Sequence, residues 1–476
     1  MKIKKKRARK AVHLFNTLSK EGFMLYDLSF LEEGKSWPPE EEMERLQRYG
    51  KNRAVFEGEH HEVYAEQFRR VERVLGNFKD VVSYPIVLNF QRLIAIKFAD
   101  LLFGEEPRIG SAKADATVRR VCTHSGLIGK AVEVAIDVCR YGTGLFLVYR
   151  DDEGRGVVDV TQPACWFPVL DSANVKRVLY HVLAVEVELG DRAYLKVQIH
   201  EPGAVIMRTY ELEGGVIGKI LEDEGPILTG LDSFALLPVQ NIATSESYFG
   251  GDDFASIDSI VSEIEVRMAQ ISKILDKHAA PTITGPGSAL VDDGAGGLVL
   301  GTGNYIVNDA LIEGGGEVKY VTWNAQLEAS FRQLDVLLGF LYTMSETGAT
   351  LLDASPGVGA AAGGSRGQSG TALRLRMMAP LSKVNRMRVR FDPVLRRAVA
   401  MAAGLGWGGR LEAEDVSIIW EDGLPDDPRE SAEIMHIRTA GRATLSQMEA
   451  VKRLDGVDEQ VAGLITRQIR KDGMDG

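Results

Sequence analysis

Apolar positions keep a helical rhythm most strictly in two stretches, 253–278 and 325–345, which enclose a glycine-rich segment. In the first, Ile257, Val261, Ile264, Met268, Ile271 and Leu275 recur at alternating spacings of four and three, laying one apolar stripe along a helix face. Leu327, Phe331, Leu334, Leu338 and Leu341 repeat the rhythm in the second. The two helices can pair as a hairpin or pack against copies of themselves. At a rise of about 1.5 Å per residue each spans roughly 30 to 40 Å, long for a small globular core, so the pattern predicts a stem. A two-helix stem alone leaves much of each stripe wet, and self-association is the simplest cover. Ile264, Met268, Ile271, Phe331, Leu334 and Leu338 are the expected interface positions.

Upstream, Trp37, Pro38 and Pro39 precede a glutamate cluster, which reads as an irregular, charged arm followed by a proline-opened helix. The spacing from Val87 to Phe103 is helical and ends at Gly104 and Pro107. A further helix is predicted over Gly129 to Tyr141. Strand-like runs follow at Leu145 to Arg150, Val157 to Val160, Val178 to Val187, Leu195 to His200 and Val205 to Leu212, separated by Asp, Glu and Gly turns. Together they predict an α+β domain reaching about residue 250, where Phe249, Gly250, Gly251 and Asp252 lead into the first stem helix.

Between the stem helices, ten glycines from Gly285 to Gly316 force frequent turns among β-prone pieces near Thr282, Leu298, Tyr305 and Val318 to Trp323, predicting a small β-rich tip. The stretch from Thr347 to Gly370 holds seven glycines and two charged residues, Asp353 and Arg366, and reads as a loop. A third helix is expected after Ser369, with Leu373, Met377, Leu381, Val384 and Met387 at helical spacing. Pro380 should kink it near Arg376 to Pro380, and Asp392 with Pro393 should interrupt it before it resumes to about Gly404. Val416 to Trp420 reads as a strand. From Asp427 the pattern is helical again, broken at Gly441 and Gly456.

Composition narrows the functions. With 476 residues and 45% hydrophobic content, the chain can bury a substantial core in about three domains. No apolar run approaches the roughly 18 to 20 residues of a membrane helix, so no membrane role is expected. The basic start, from Lys2 to Lys10, has no signal-type apolar core behind it, and a solvated arm is favoured over nucleic-acid contact. Cys122, Cys139 and Cys165 are odd in number and lack paired metal-ligand spacing; they read as reduced thiols. A net charge of −11 argues against gripping nucleic acid over a broad basic face but does not exclude DNA as a passing substrate, since a passage through which DNA slides should avoid such a grip. Contacts that neutralise phosphates would create tight, salt-dependent wells there.

Catalytic signatures fail on residue identity. In the stretch from Gly214 to Lys219, a phosphate loop would need its first glycine at Glu213 and Ser or Thr at Ile220; a hairpin turn fits better. His61 and Glu62 open like a zinc-protease helix, but Ala65 stands where the second histidine belongs. Gly367 to Gly370 lacks the closing glycine of a nucleophile elbow, replaced by Thr371, so Ser369 reads as a helix cap. Neither a catalytic group, a metal nor a cofactor is expected. Around Arg374, Arg376, Lys383, Arg386, Arg388, Arg390, Arg396 and Arg397 two readings stay open, DNA phosphates or pairing with acidic surfaces. Pairing is favoured, because Leu, Met and Val occupy the places base-stacking aromatics would take. Leu445 to Ile469 resembles a helix-turn-helix, but Asp458 and Glu459 would repel phosphates at its second helix.

The order of parts over nearly the whole chain resembles the portal proteins of tailed bacteriophages, in particular those related to portals of long-tailed phages of Gram-positive bacteria. The resemblance is carried by Asn89 to Pro107, Tyr141 to Tyr149 with Gly142 and Gly144, and Phe167, Pro168 and Asp171. It continues through Phe249 to Phe254, Ser369 to Leu373 with Gly370 and Ala372, and Trp420 to Asp427. It implies an N-terminal arm (1–60), an α/β wing (61–250), a stem helix (251–278), a small β-rich clip (279–324) and a second stem helix (325–346). A tunnel loop (347–370), a kinked helix with the rest of the wing (371–425) and a helical crown (426–476) complete the subunit.

The resemblance further implies a homo-oligomer, a dodecameric ring at one capsid vertex of the virion, assembled in the host cytoplasm, with double-stranded DNA passing through its channel. Asp353, Ser355, Arg366 and Gln368 would line that channel. Asn304, Asn308 and Asp309 on the clip would face the terminase large subunit during packaging and head-completion or adaptor proteins afterwards. Major capsid and scaffolding proteins are further partners, and the ATPase belongs to the terminase. The competing readings are a phage hydrolase or nuclease using scattered carboxylates, and a helical head adaptor without a channel.

Overall fold

The computed structural model describes residues 24–74, 86–279, 327–352, 374–421, 428–440, 443–457 and 459–472, with five short strands between the stem helices. The N-terminal part carries α1 (Met43–Glu57), α2 (His60–Val63), α3 (Ala65–Val74) and α4 (Phe90–Phe103). Glycine and asparagine punctuate these helices. Gly58 ends α1 at φ 91°, and Asn89 Oδ1 caps α4 by accepting from Arg92 N at 3.0 Å.

After β1 (Arg108–Gly110) come α5 (Asp115–Ser125) and α6 (Leu127–Tyr141), then β2 (Thr143–Arg150), β3 (Gly156–Thr161), β4 (Trp166–Asp171), β5 (Asn174–Leu189), β6 (Arg192–Glu201), β7 (Ala204–Glu213), β8 (Val216–Leu228) and β9 (Leu236–Gln240). They form two antiparallel sheets, ordered β3-β2-β9 and β4-β5-β6-β7-β8. In β6 the alternation is plain: Leu195, Val197 and Ile199 point into a core closed by Leu25, Phe30 and Leu31. The expected hairpin at Gly214 is present, with Gly214 and Gly215 at φ +57° and +77°, the left-handed pair a two-residue turn requires.

The stem follows as α7 (Asp258–Ala279) and α8 (Leu327–Met344), packed on each other. Between them β10 (Thr282–Gly285), β11 (Val291–Asp292), β12 (Leu298–Val299), β13 (Asn304–Val307) and β14 (Lys319–Tyr320) form a three-stranded sheet, β13-β10-β14, and a β11-β12 pair. A short helix, α9 (Gly348–Leu352), stands where the sequence predicts the start of a loop.

The long helix α10 (Met378–Gly404) departs from expectation. A turn at Met377 separates it from helical residues 374–376, so the predicted break falls in place, and Pro380 sits in the first turn, where its missing N–H costs no bond. Pro393 does not interrupt the helix. Its neighbours Phe391, Leu395 and Ala398 are fully buried, and this packing offsets the roughly 3 kcal/mol an interior proline costs. Asp392 caps nothing there; its carboxylate pairs with Arg396 at 2.6 Å and accepts from Trp420 Nε1 at 3.0 Å. β15 (Ser417–Ile419) pairs with β1, and α11 (Pro428–Thr439), α12 (Gln447–Asp455) and α13 (Glu459–Asp472) finish the chain.

One apolar core runs from α4, α5 and α6 through β2, β3 and β9 to α10 and the base of both stem helices. The stem is thus rooted in the body.

Candidate functional site

The stem root is built from buried charges. Asp252 precedes α7 and accepts from Phe254 N at 3.1 Å and Ala255 N at 2.8 Å, closing the turn into the helix. Beside it, Asp253 accepts from Asn241 Nδ2 at 3.0 Å, while Lys383 Nζ lies 2.9 Å from its other oxygen, off hydrogen-bond alignment, so the attraction is chiefly Coulombic. The two side chains keep only 5% and 6% of their surface open, and the ammonium also lies 3.9 Å from the Phe98 ring centre. Lys383 shares the inward face of α10 with Pro380, Val384 and Met387, which bolts that helix to the start of the stem.

About two turns into α7, fully buried Glu265 accepts from Leu88 N at 2.8 Å and meets His60 Nδ1 at 2.6 Å. His60 Nε2 lies 2.9 Å from the Val55 carbonyl, so both ring nitrogens face acceptors and the ring must be an imidazolium to satisfy both. Burial opposes that charge, but the hydrogen bond and charge of Glu265 outweigh it and hold the His60 pKa above the usual value. Asp258, at the first turn of α7, collects Lys51 at 2.5 Å and Tyr64 and Gln91 at 3.2 Å. Burial and this carboxylate push the Tyr64 phenol upward. Beyond α8, Glu346 sits at φ 61°, a left-handed conformation unusual for a non-glycine residue, and accepts from Arg386 at 2.6 and 2.7 Å. These groups hold elements together; among the described residues no cluster of three or more His, Cys, Asp or Glu is placed for a metal ion.

The basic helix divides accordingly. Lys383, Arg386 and Arg396 pair with Asp253, Glu346 and Asp392, and Arg388 donates to the Glu421 carbonyl, so pairing within the chain occupies much of its charge. Of the expected interface residues, Ile264, Ile271 and Leu334 are buried inside the chain itself, Met268 and Leu338 are partly covered, and Phe331 is 49% exposed. The helix hairpin and the body cover most of the stripe read from the sequence, leaving Leu275, like Phe331, 49% exposed. A second line on α8 remains open: Val336, Phe340 and Met344, at i, i+4 and i+8, are 56%, 57% and 51% exposed. Its spacing was visible in the sequence. Asn304 begins β13 opposite Thr282 of β10. Asn308, Asp309, Asp353, Ser355, Arg366 and Gln368 lie outside the described residues.

Two of the fragments that carried the family resemblance, Tyr141 to Tyr149 and Phe249 to Phe254, meet in space. Gly142, at φ +77°, ends α6 with its carbonyl accepting from Asn241 N at 2.8 Å. A Cβ added there would stand 2.2 Å from the Gly250 carbonyl oxygen, and one on Gly250 would stand 2.1 Å from that of Gly142. Two chain segments cross with no room for a side chain on either.

No curated protein matches the chain. Solved structures that match the chain include the neck of a native gene transfer agent particle with C12 symmetry (11% identity, 77% of this chain and 89% of that one, TM-score 0.40). The virion of a native gene transfer agent particle (12%, 77% and 89%, 0.39) and the neck of an empty one with C6 symmetry (12%, 77% and 89%, 0.41) are others. The sequence profile of the family described as phage portal protein, SPP1 Gp6-like, matches residues 37–473, nearly the full length, and the chain therefore belongs to this family of phage portal proteins.

Proposed function

We propose that copies of this chain close into a dodecameric ring at one capsid vertex, and that double-stranded DNA is packaged and ejected through its channel. The family match over residues 37–473 carries this reading. The open line of Val336, Phe340 and Met344 on α8 supports it, because a stem helix in water gains from covering three large apolar side chains. In this reading the outward line, together with Phe331, meets the neighbouring stem, while Ile264, Ile271 and Leu334 hold each subunit's own hairpin closed.

The segment 353–370, with Asp353, Ser355, Arg366 and Gln368, lines the narrowest passage. Its near neutrality spares DNA a deep phosphate well, and the acidity of the chain, −11 overall, keeps the duplex centred. Asn304, Asn308 and Asp309 on the β-rich tip meet the terminase large subunit and later the head-completion protein, and capsid and scaffolding proteins surround the body. The protein acts as a conduit and turns over no substrate; hydrolysis belongs to the terminase. Mass photometry of Phe340→Asp beside the native chain tests the assembly step. The variant should keep a folded monomer, since Phe340 contributes to no internal core, and lose the ring. Rings of unchanged size and yield would remove this face from the interface.

A further inference from the structure

The three C-terminal helices are punctuated well and packed poorly. Ser446 caps α12 by accepting from Glu449 N at 3.1 Å, and Gly456 ends it at φ +63°. Among the described residues, none beyond Trp420 belongs to the apolar cores. Among the described residues of 428–472, the buried ones are Ala450, Ala462 and Thr466, all small. No residue of α11 from Ala432 to Thr439 is buried. Meanwhile Ile434, Ile437, Leu454, Val461, Leu464 and Ile469 stand 47%, 72%, 43%, 40%, 63% and 49% exposed. On α13 the apolar arc centred near Val461 and Leu464 lies roughly 150° around the helix from the Ala462–Thr466 line that is already covered. Helices this short are marginal in water without a packed face, and three with so small a core supply little of one to each other.

Charge identifies the cover. Residues 428–472 hold eight Lys or Arg and seven Asp or Glu, a net of +1, whereas the whole chain is −11, leaving −12 for the remainder. A DNA-binding face would be basic, and a strongly charged partner would call for the opposite sign. A balanced surface with both signs interspersed and apolar residues between them suits a copy of itself, which meets no net repulsion there.

We infer that helices α11–α13 pack against the same helices of the next copy of this chain and gain lasting structure only in the assembled ring. The inference rests on the ring reading above. It makes the C-terminal unit a reporter of assembly, loosely held in the free subunit and locked when neighbours close around it.

Hydrogen–deuterium exchange on the full chain, in monomer and ring fractions separated by sedimentation, tests it. Peptides from 428–472 should exchange at least tenfold more slowly in the ring, while peptides from β5–β7 stay equally protected in both fractions. A second sample, Ile437→Asp with Leu464→Asp, alters two exposed positions and should leave the monomer unchanged while removing the added protection of 428–472 in whatever rings form. Equal protection of 428–472 in native monomer and ring overturns the inference, as does rapid exchange there within native rings, and both outcomes leave the ring reading standing. Protection surviving in rings of the double variant overturns it too. Failure of the native chain to form any ring overturns both.

Discussion

Replacing Lys383 with methionine removes one charge from a pair closed to water while keeping a long side chain over Phe98. Asp253 would retain Asn241 Nδ2 at 3.0 Å and lose the cation 2.9 Å away, with 6% of its side chain exposed. Breaking a buried pair from one side costs about 3–5 kcal/mol, since the remaining charge has neither water nor counter-ion. The surviving amide bond and a thioether against the Phe98 ring place the expected loss at the low end, about 3 kcal/mol. Asp253→Asn in the same background removes the stranded charge, so the double variant should be less damaged than the two single losses added together, by about 2 kcal/mol. Urea unfolding below the assembly concentration, followed by tryptophan fluorescence and far-ultraviolet dichroism, measures all three. A loss under about 1 kcal/mol for Lys383→Met, or additive losses in the double variant, would refute the claim that this pair fixes α10 to the stem root.

Two further predictions concern the body of the subunit. His181 and His200 sit opposite each other on β5 and β6, where burial depresses their pKa values to about 3 and about 4, so both are neutral in the fold. In the unfolded chain they protonate below about pH 6.5, so their contribution is complete above that pH and drains away as the pH falls towards 4. At pH 5 the loss is about 2 kcal/mol each, and His200→Leu should flatten the acid limb of a stability–pH profile; an unchanged slope would count against it. At Gly142, alanine would meet the Gly250 carbonyl at 2.2 Å and should cost about 2 kcal/mol or more, whereas Gly154→Ala, at φ +80° with open space around it, should cost about 1. Thermal melts of both decide it, and equal losses would mean that backbone conformation alone, not the chain crossing, matters at Gly142.

Much of the architecture could be read from local signals. The stem helices, the hairpin at Gly214 and Gly215, the strand pieces near Thr282 and Tyr305, and the breaks at Met377 and Gly456 all follow from spacing or from residues with restricted backbone choices. Where packing outweighs local preference, reading along the chain fell short. Pro393 stays inside α10 because its neighbours are buried, and β8 has no alternation because Lys219 to Leu228 is exposed on both faces. Helix α5 went unread because few of its residues, Val118 and Val121 among them, are apolar and buried. For the stem root, Lys383 and Glu265 each interrupt an apolar stripe at a core position, a visible sign of a buried pair, but their partners Asp253 and His60 are distant in sequence. The crossing of Gly142 and Gly250 is likewise invisible until the fold brings them together.

Negative-stain electron microscopy of the purified chain, with class averages sorted by rotational symmetry, tests the central claim most directly. Closed rings with a central opening wide enough for a duplex are expected. Compact monomers alone at high concentration with scaffolding protein added, or assemblies without an opening, would contradict it.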